Sequence, residues 1–263
     1  MKIIFFDIDG TLIDEQFQML DSTKEAITRA RRNGHICMIN TGRTDKLVGR
    51  RISDWVELDG YLMGCGTMIT YHNQVLLHKT FEEEQARYII EGLRKYKIDA
   101  VLEGSQNNFH DDLEKMNTKI FRDFVADFVD CSYGSYEEAA GYFDKFYAYV
   151  DEKSTMDAFR REYEEMLDFI DREKGFYEIV PKGYSKASGM RYLVDYLKPF
   201  MELSMEDTVA IGDSSNDIPM LEAANIAVAM GNSTQRVLDM ADYITTDVKQ
   251  DGIWNALDWL GVL

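Results

Sequence analysis

The chain opens with an apolar run that ends in two carboxylates: Met1-Lys2-Ile3-Ile4-Phe5-Phe6-Asp7-Ile8-Asp9-Gly10-Thr11-Leu12. A short apolar run bounded by a glycine is typical of a strand buried on both faces of a parallel sheet. Ligands bind beyond the carboxyl ends of such strands, so we expect Asp7 and Asp9 at the mouth of the crevice. Two like charges on one side of a strand repel each other unless a cation lies between them or one keeps its proton. The stretch therefore predicts a metal site, a proton-transfer site, or both; solvated aspartates at a strand end are the alternative for this motif alone.

The charge balance excludes two classes of partner. The 263 residues include 29 Lys and Arg against 47 Asp and Glu, a formal net charge of -18. Nucleic acids and anionic membrane surfaces both favour clustered basic residues, so we expect no nucleic acid, no membrane, and a small molecule instead. The N-terminal apolar run is too short for a signal peptide, and the three cysteines are far apart. We expect a cytoplasmic protein with reduced thiols, monomeric or weakly homo-oligomeric.

A strand, a polar loop and a helix follow one another in residues 1–81 and again in 181–263. Strands are predicted at 3–6, 36–40, 58–63, 208–211 and 226–229, and helices at 21–32, 45–52, 186–197, 219–224 and 250–259. A helix between consecutive strands is typical of a parallel sheet. A β-hairpin is predicted at 68–78.

The middle of the chain differs in composition. Residues 82–180 contain 25 acidic and 13 basic residues, and their helix and strand patterns lack polar loops at the strand ends. This favours an α+β layer in which helices cover one side of a sheet. Phe121, Phe124 and Phe128 are spaced for one helix face and are predicted to lie in its core. We therefore predict a core domain of residues 1–81 and 181–263 and an inserted domain of residues 82–180.

Polar residues follow the predicted core strands at four places. They are Asp7, Asp9 and Thr11; Thr41, Gly42 and Arg43; Lys186 in the first turn of a helix; and Asp213, Ser214, Asn216 and Asp217. Carboxylates from two strand ends suit a hard divalent cation, and Mg2+ commonly binds one or two carboxylates, water and a phosphate. A lysine at a helix start opposes the helix dipole, so Lys186 indicates an anionic partner.

Together these groups describe a site for a phosphoryl group. Lys186, the Thr41 hydroxyl and the N–H groups after Thr41 would hold phosphate oxygens. One carboxylate can then attack phosphorus while a second acid protonates the leaving oxygen, and Asp7 and Asp9 supply this pair.

The four segments Asp7-Ile8-Asp9-Gly10-Thr11, Asn40-Thr41-Gly42-Arg43, Ser185-Lys186 and Gly212-Asp213-Ser214-Ser215-Asn216-Asp217 resemble, in order and spacing, the four motifs of the haloacid dehalogenase superfamily. The insert between the second and third motifs resembles the α/β cap of the Cof-type, class IIB phosphatases. The resemblance implies an α/β fold with a Rossmann-like, doubly wound parallel-sheet core and a cap that selects the substrate. The chain differs from the family pattern at Cys65-Gly66, where Asn-Gly is frequent, and at Ala187, where Gly is frequent.

The resemblance also implies roles for individual residues and a dependence on Mg2+. Asp7 is the nucleophile and a metal ligand, Asp9 is the acid/base and lends its backbone carbonyl to the metal, and Asp213 is a metal ligand. Thr41, Gly42, Lys186 and Asn216 hold phosphate, and Asp217 supports the metal from behind its direct ligands or through water. The implied activity is hydrolysis of phosphate monoesters, such as sugar phosphates or phosphorylated cofactors, through a phosphoaspartate.

Several alternatives stay open at this point. Lys182 lies four residues before Lys186 and competes for its role. Asn216 and Asp217 can serve as helix caps, and Arg43 can form a surface ion pair. At the level of function, the alternatives are a phosphomutase and a non-catalytic phosphate-ester sensor, since fold does not fix function. Asn107, Asn108 and His110 are predicted to lie in cap loops that contact substrate.

Overall fold

The computed structural model describes residues 1–48, 51–112, 114, 116–127, 133–139 and 141–263. The chain divides into two compact units. Unit 1 contains Met1–Gly42, Val48–Leu77 and Ser185–Leu263, and unit 2 contains Arg43–Leu47 and His78–Tyr184. None of the helices in the described part of the chain combines the length and apolar character that a membrane span requires.

Unit 1 is built on an eight-stranded sheet. Its strands are β1 (Ile3–Phe6), β2 (Ile36–Asn40), β3 (Gly60–Met63), β4 (Met68–Tyr71), β5 (Gln74–His78), β12 (Thr208–Gly212), β13 (Ile226–Ala229) and β14 (Tyr243–Ile244). Their order is β14-β13-β12-β1-β2-β3-β4-β5. The strands from β14 to β3 pair in parallel, and β4 pairs antiparallel to β3.

Helices connect these strands and cover both faces of the sheet. They are α1 (Asp21–Arg32), α3 (Arg51–Trp55), α7 (Lys186–Leu197), α8 (Ile218–Ala223), α9 (Gln235–Leu238) and α10 (Gly252–Trp259). The short helix α2 (Asp45–Val48) follows β2, and its residues 45–47 belong to unit 2. Ile4 and Phe6 belong to a buried cluster with residues of α1 and α10, whereas Ile3 and Phe5 belong to one with residues of α7 and α8. Alternate side chains of a strand point to opposite faces, so β1 is apolar throughout because both of its faces are buried.

The register of the sheet brings three strand ends to one edge. Strand β1 lies between β2 and β12, and Phe6 pairs with Ile39 on one side and Ile211 on the other. The next residues along the chain therefore lie level with one another: Asp7 directly after β1, Asn40 at the end of β2 and Gly212 at the end of β12.

Unit 2 is built on a separate six-stranded sheet. Its strands are β6 (Asp99–Glu103), β7 (Asn108–His110), β8 (Tyr133–Ser135), β9 (Lys145–Tyr149), β10 (Leu167–Asp171) and β11 (Phe176–Pro181), in the order β10-β11-β9-β6-β7-β8. The helices are α4 (Glu83–Lys95), α5 (Lys119–Asp127) and α6 (Lys153–Tyr163). Leu102, Phe146 and Ile179 form a core with Ile89 of α4 and Phe159 of α6.

The predicted fold class is confirmed: a parallel α/β core sheet accompanies a separate inserted sheet. One local prediction was wrong, because Asn108 and His110 lie on β7 rather than in a loop. Phe121 is fully buried as predicted, whereas the Phe124 side chain and Phe128 lie outside the described residues. Cys37 and Cys65 are buried free thiols, and Cys131 lies outside the described residues.

Candidate active site

The ammonium group of Lys186 lies between two carboxylates at the carboxyl edge of the unit 1 sheet. Its Nζ donates to Asp7 Oδ1 at 2.6 Å and to Asp217 Oδ1 at 2.5 Å, and the Lys186 side chain is 0% exposed. Asp7 follows β1 directly, and its backbone N–H donates to the carbonyl of Ile211 on β12 at 3.0 Å. Two neighbouring strands and the start of α7 thus converge on one buried ion cluster.

Two hydrogen bonds fix the start of α7 at this place. The N-cap Ser185 accepts at Oγ a bond from the backbone N–H of Ser188 (3.1 Å), so the helix begins at this point. Asn40, the last residue of β2, donates from Nδ2 to the carbonyl oxygen of Lys186 at 3.0 Å. No local sequence pattern indicates this role of Asn40, because the bond joins residues 146 positions apart.

The alternative lysine has a different partner. Lys182 is 54% exposed at its side chain and pairs with Asp168 at 2.8 Å within unit 2. Lys186 is therefore the lysine that contacts Asp7.

Asp217 uses both of its carboxylate oxygens. Oδ1 accepts from Lys186, and Oδ2 accepts from the backbone N–H groups of Asp213 and Ser214, each at 2.9 Å. Asp217 therefore caps the turn after β12 and also binds the buried ammonium of Lys186. Its use as a cap and its place in the candidate site are thus compatible.

Asp213 faces the first strand end. Its Oδ1 accepts a bond from Thr11 Oγ1 at 3.2 Å, and oxygens of Asp7, Asp213 and Asp217 lie within 4.8 Å of one another. Gly10 has a φ of +79°, and a Cβ placed on it would lie 2.5 Å from Asp213 Oδ2. Only glycine permits both this backbone conformation and this close approach.

Asp9 is exposed and stands at a tight turn. It forms a single β-bridge with Ile13, and the N–H of Gly10 donates to the carbonyl of Ile13 at 2.9 Å. Asp9, Gly10 and Asp213 line a cavity of about 330 Å³ together with Asn232, Asp247 and Lys249.

The predicted phosphate-holding residues lie at the same edge of the sheet. Thr41 follows β2, is 1% exposed, and its carbonyl accepts from the N–H of Cys65 at 3.0 Å. Asn216 is 7% exposed and accepts at Oδ1 from Ser214 Oγ at 2.8 Å. Arg43 belongs instead to unit 2, where its guanidinium donates to the carbonyl of Leu47 at 3.3 Å.

The charges of the cluster do not balance. Burial, and then the charge of Asp217, raise the pKa of Asp7 to about 7, although Lys186 opposes the shift. Burial and the charges of Asp217 and Asp7 raise the pKa of Asp213 to about 8. Burial alone would lower the pKa of Lys186, but the carboxylates of Asp217 and Asp7 raise it above its usual value. One ammonium facing three carboxylates leaves negative charge that a divalent cation would neutralise, and oxygen ligands are those that such a cation prefers.

A sequence profile of the haloacid dehalogenase-like hydrolases matches residues 4–257. The chain belongs to the haloacid dehalogenase-like hydrolase family. The resemblance seen in the four motifs is thereby confirmed, and membership makes the chain a phosphatase-type hydrolase.

Two relatives of this hydrolase match it over nearly their whole length. It is 27% identical over 268 residues to a Bacillus subtilis (strain 168) protein provisionally named the phosphatase YkrA, covering 100% of this chain and 98% of the relative. It is 24% identical to the 5-amino-6-(5-phospho-D-ribitylamino)uracil phosphatase YcsE of the same organism, covering 98% and 94% of the two chains.

Solved structures of the family share the fold. BT1666 from Bacteroides thetaiotaomicron, described among the phosphatases of this superfamily, has a TM-score of 0.85 at 26% identity over 100% of this chain and 96% of its own. The subclass IIB sugar phosphatase BT4131 has a TM-score of 0.81 at 24% identity over 100% of both chains. The hydrolase therefore has the class IIB fold, with a parallel core sheet and an inserted cap.

Proposed function

We propose that this hydrolase is a Mg2+-dependent phosphatase that cleaves phosphate monoesters of small metabolites through a phosphoaspartate on Asp7. The observation that carries the proposal is the buried contact of Asp7 with Lys186, beside Asp213 and Asp217. A buried carboxylate next to a fully buried ammonium and two further carboxylates is costly to maintain for stability alone. It suits a substrate that brings negative charge and a cofactor that brings positive charge.

Four residues are proposed to hold the phosphoryl group. Lys186 contributes its ammonium, Thr41 its hydroxyl, Gly42 its backbone N–H and Asn216 its side-chain amide. Charge-assisted hydrogen bonds of this kind are stronger than neutral ones, because one partner is ionised. Their strand-end placement resembles other phosphate sites, in which backbone N–H groups point at the ligand.

The proposed ligands of Mg2+ are carboxylate oxygens of Asp7 and Asp213 and the backbone carbonyl of Asp9. Asp217 has both oxygens engaged by Lys186 and two N–H groups, so we propose that it supports the metal through water. When bound, Mg2+ neutralises charge on the phosphoryl oxygens.

The proposed reaction has two displacement steps. A carboxylate oxygen of Asp7 attacks phosphorus, the bond from phosphorus to the ester oxygen breaks, and the carboxyl of Asp9 gives its proton to the leaving oxygen. A water molecule then attacks the aspartyl phosphate while the Asp9 carboxylate accepts its proton. Inorganic phosphate leaves, and the Asp7 carboxylate is restored.

We propose that the insert, residues 82–180, selects the leaving group. The related YcsE acts on a phosphorylated ribitylamino-uracil, so a small phosphorylated metabolite is the class we propose for this chain as well. Asn107, Asn108 and His110 remain the predicted contacts of the insert with substrate.

A panel of sugar phosphates and phosphorylated cofactors tests the proposal. We expect phosphate release from several of them with Mg2+ and none in EDTA. Asp7→Asn should abolish release without loss of folding, and Asp21→Asn, at a 97% exposed side chain, is the matched control that should leave it unchanged. Equal release by wild type and Asp7→Asn would contradict the nucleophile assignment. Isomerised esters without free phosphate would indicate a phosphomutase, and binding without turnover would indicate a sensor.

A further inference from the structure

The loop after β13, residues 230–234, contacts strand ends of the site although none of the four motifs includes it. The backbone N–H of Met230 donates to the carbonyl of Gly212 at 3.1 Å. The N–H of Thr234 donates to the carbonyl of Asp213 at 3.0 Å. This loop therefore holds the backbone from which Asp213 projects.

Asn232 in the same loop reaches the first strand end with its side chain. Its Nδ2 donates to the carbonyl of Gly10 at 2.7 Å. Its Oδ1 accepts from the backbone N–H of Val248 at 2.9 Å. Both ends of the amide are thus used, and they join three loops that are distant in the sequence.

The hydrogen bond from Asn232 to Gly10 is made to the turn of residues 8–13, which carries Asp9 and packs against Asp213. Gly10 lies against the Asp213 carboxylate so closely that a Cβ has no room there. Asp9 is the residue directly before Gly10, and its side chain is exposed. The N–H groups of Thr11, Leu12 and Ile13 bond to the carbonyl of Ile8, so these bonds stay within the turn itself. Asn232 ties this turn from outside to the loop that carries Asp213.

We propose that Asn232 is a positioning residue for Asp9. This inference rests on the proposed function, in which Asp9 gives a proton to the leaving oxygen. By anchoring the Gly10 carbonyl to the 230–234 loop, Asn232 holds Asp9 at a constant place relative to Asp213. Without the anchor the turn keeps its internal hydrogen bonds and the bond from Thr11 Oγ1 to Asp213, but the Gly10 carbonyl beside Asp9 loses its tie to the 230–234 loop. Asp9 is then held less closely in place, and proton transfer depends on hydrogen-bond distance.

This role predicts a dependence on the leaving group. An alkyl alcohol is a poor leaving group and needs the proton from Asp9, whereas para-nitrophenolate leaves readily without it. Positioned acids contribute about 100-fold or more to such reactions, so Asn232→Ala should lower kcat/KM for an alkyl phosphate about tenfold more than for para-nitrophenyl phosphate. A merely structural role would lower both values by the same factor.

The experiment compares wild type with Asn232→Ala, Asn232→Asp and Asn255→Ala. Asn232→Asp retains the acceptor for Val248 but loses the donor to Gly10, so it should show the same selective loss. Asn255 donates to Thr246 Oγ1 at 2.8 Å, at the base of the Val248 loop, and its alanine variant should behave like wild type. The substrates are para-nitrophenyl phosphate and the best alkyl ester of the panel, and thermal unfolding reports on folding.

Amide hydrogen exchange of residues 9–13 provides a readout that does not depend on activity. We expect faster exchange there in both Asn232 variants and wild-type exchange in Asn255→Ala. Unchanged exchange, or equal loss on both esters, would overturn the role of Asn232. If wild type cleaves neither ester, the proposed function fails, and wild-type exchange in the Asn232 variants would still refute the anchor.

Discussion

Replacing Lys186 by methionine removes the single ammonium from the buried cluster. Lys186 contacts Asp7 at 2.6 Å and Asp217 at 2.5 Å, and both carboxylate side chains are at most 6% exposed. Methionine fills a similar volume without charge, so the change isolates the electrostatic role. Both carboxylates then lose their buried counter-charge and face each other without compensation.

Removing one partner of a buried ion pair typically costs about 3 to 5 kcal/mol. The cost should depend on pH, because burial raises the pKa of Asp7 to about 7. Well above that value Asp7 is ionised in wild type. The variant must then either bury two unpaired carboxylates or keep Asp7 protonated, because Lys186 lowers the pKa of Asp7 and its loss raises it further. Well below it Asp7 is protonated in both proteins, and only the contact of Lys186 with Asp217 is lost. Destabilisation should therefore be larger at high pH and shrink as the pH falls through the pKa of Asp7.

Thermal unfolding followed by circular dichroism in EDTA measures this difference. At a cost of about 3 kcal/mol we expect Tm to fall by roughly 6 to 12 °C at about pH 9 and by about half as much at about pH 5. Lys182→Met is the matched control, because Lys182 forms an exposed pair with Asp168, and such pairs contribute about 1 kcal/mol or less. A fall in Tm equal to that of the control, or one independent of pH, would refute the proposed charge balance.

Three further predictions concern single groups. Gly10→Ala should displace the Asp213 carboxylate, since the new Cβ would lie 2.5 Å from its Oδ2. We expect kcat/KM to fall at least tenfold (about 1.4 kcal/mol) and Mg2+ binding, measured by titration calorimetry, to weaken. Wild-type kinetics would contradict this. The hydrogen bond from Thr11 to Asp213 Oδ1 lowers the pKa of that carboxyl, so Thr11→Val should raise this pKa. The Mg2+ dependence of activity should then shift to higher pH, and an unchanged pH profile would argue against this. The hydrogen bond to Asp144 raises the pKa of His78, so the stability that this pair contributes is complete below about pH 6.5 and is lost as the pH rises through the folded value; Asp144→Asn should return the NMR titration of His78 toward its ordinary range.

Much of the site could be predicted from local pattern alone. The apolar run before Asp7 and the one before Asp213 identify buried parallel strands, because only a strand with two covered faces has apolar residues at every position. Parallel strands end at a common edge, so acids that follow them were expected to meet. Ser185 was readable as a helix cap, and it caps α7 as expected.

Other features of the structure could not be predicted from a local sequence pattern. Asn232 reads as part of a turn at Gly231-Asn232, yet its amide joins Gly10 and Val248. Asn40 reads as the polar end of a strand, yet it holds the start of α7. Asn108 reads as a loop residue, yet it pairs with Glu103 on β6, because short strands with mixed polarity give weak periodic signals.

By itself, the sequence determined which strands are buried on both faces and which candidate site residues follow them, because a strand covered on both faces has apolar residues at successive positions. Only the tertiary structure decided which charged groups contact one another. Lys186 rather than Lys182 contacts Asp7, and Asp217 accepts hydrogen bonds both from the Lys186 ammonium and from the backbone N–H of Asp213. The physical reason is distance along the chain. Asp7 and Lys186 are 179 positions apart, so their contact depends on the register of whole strands and no pattern within a short segment records it.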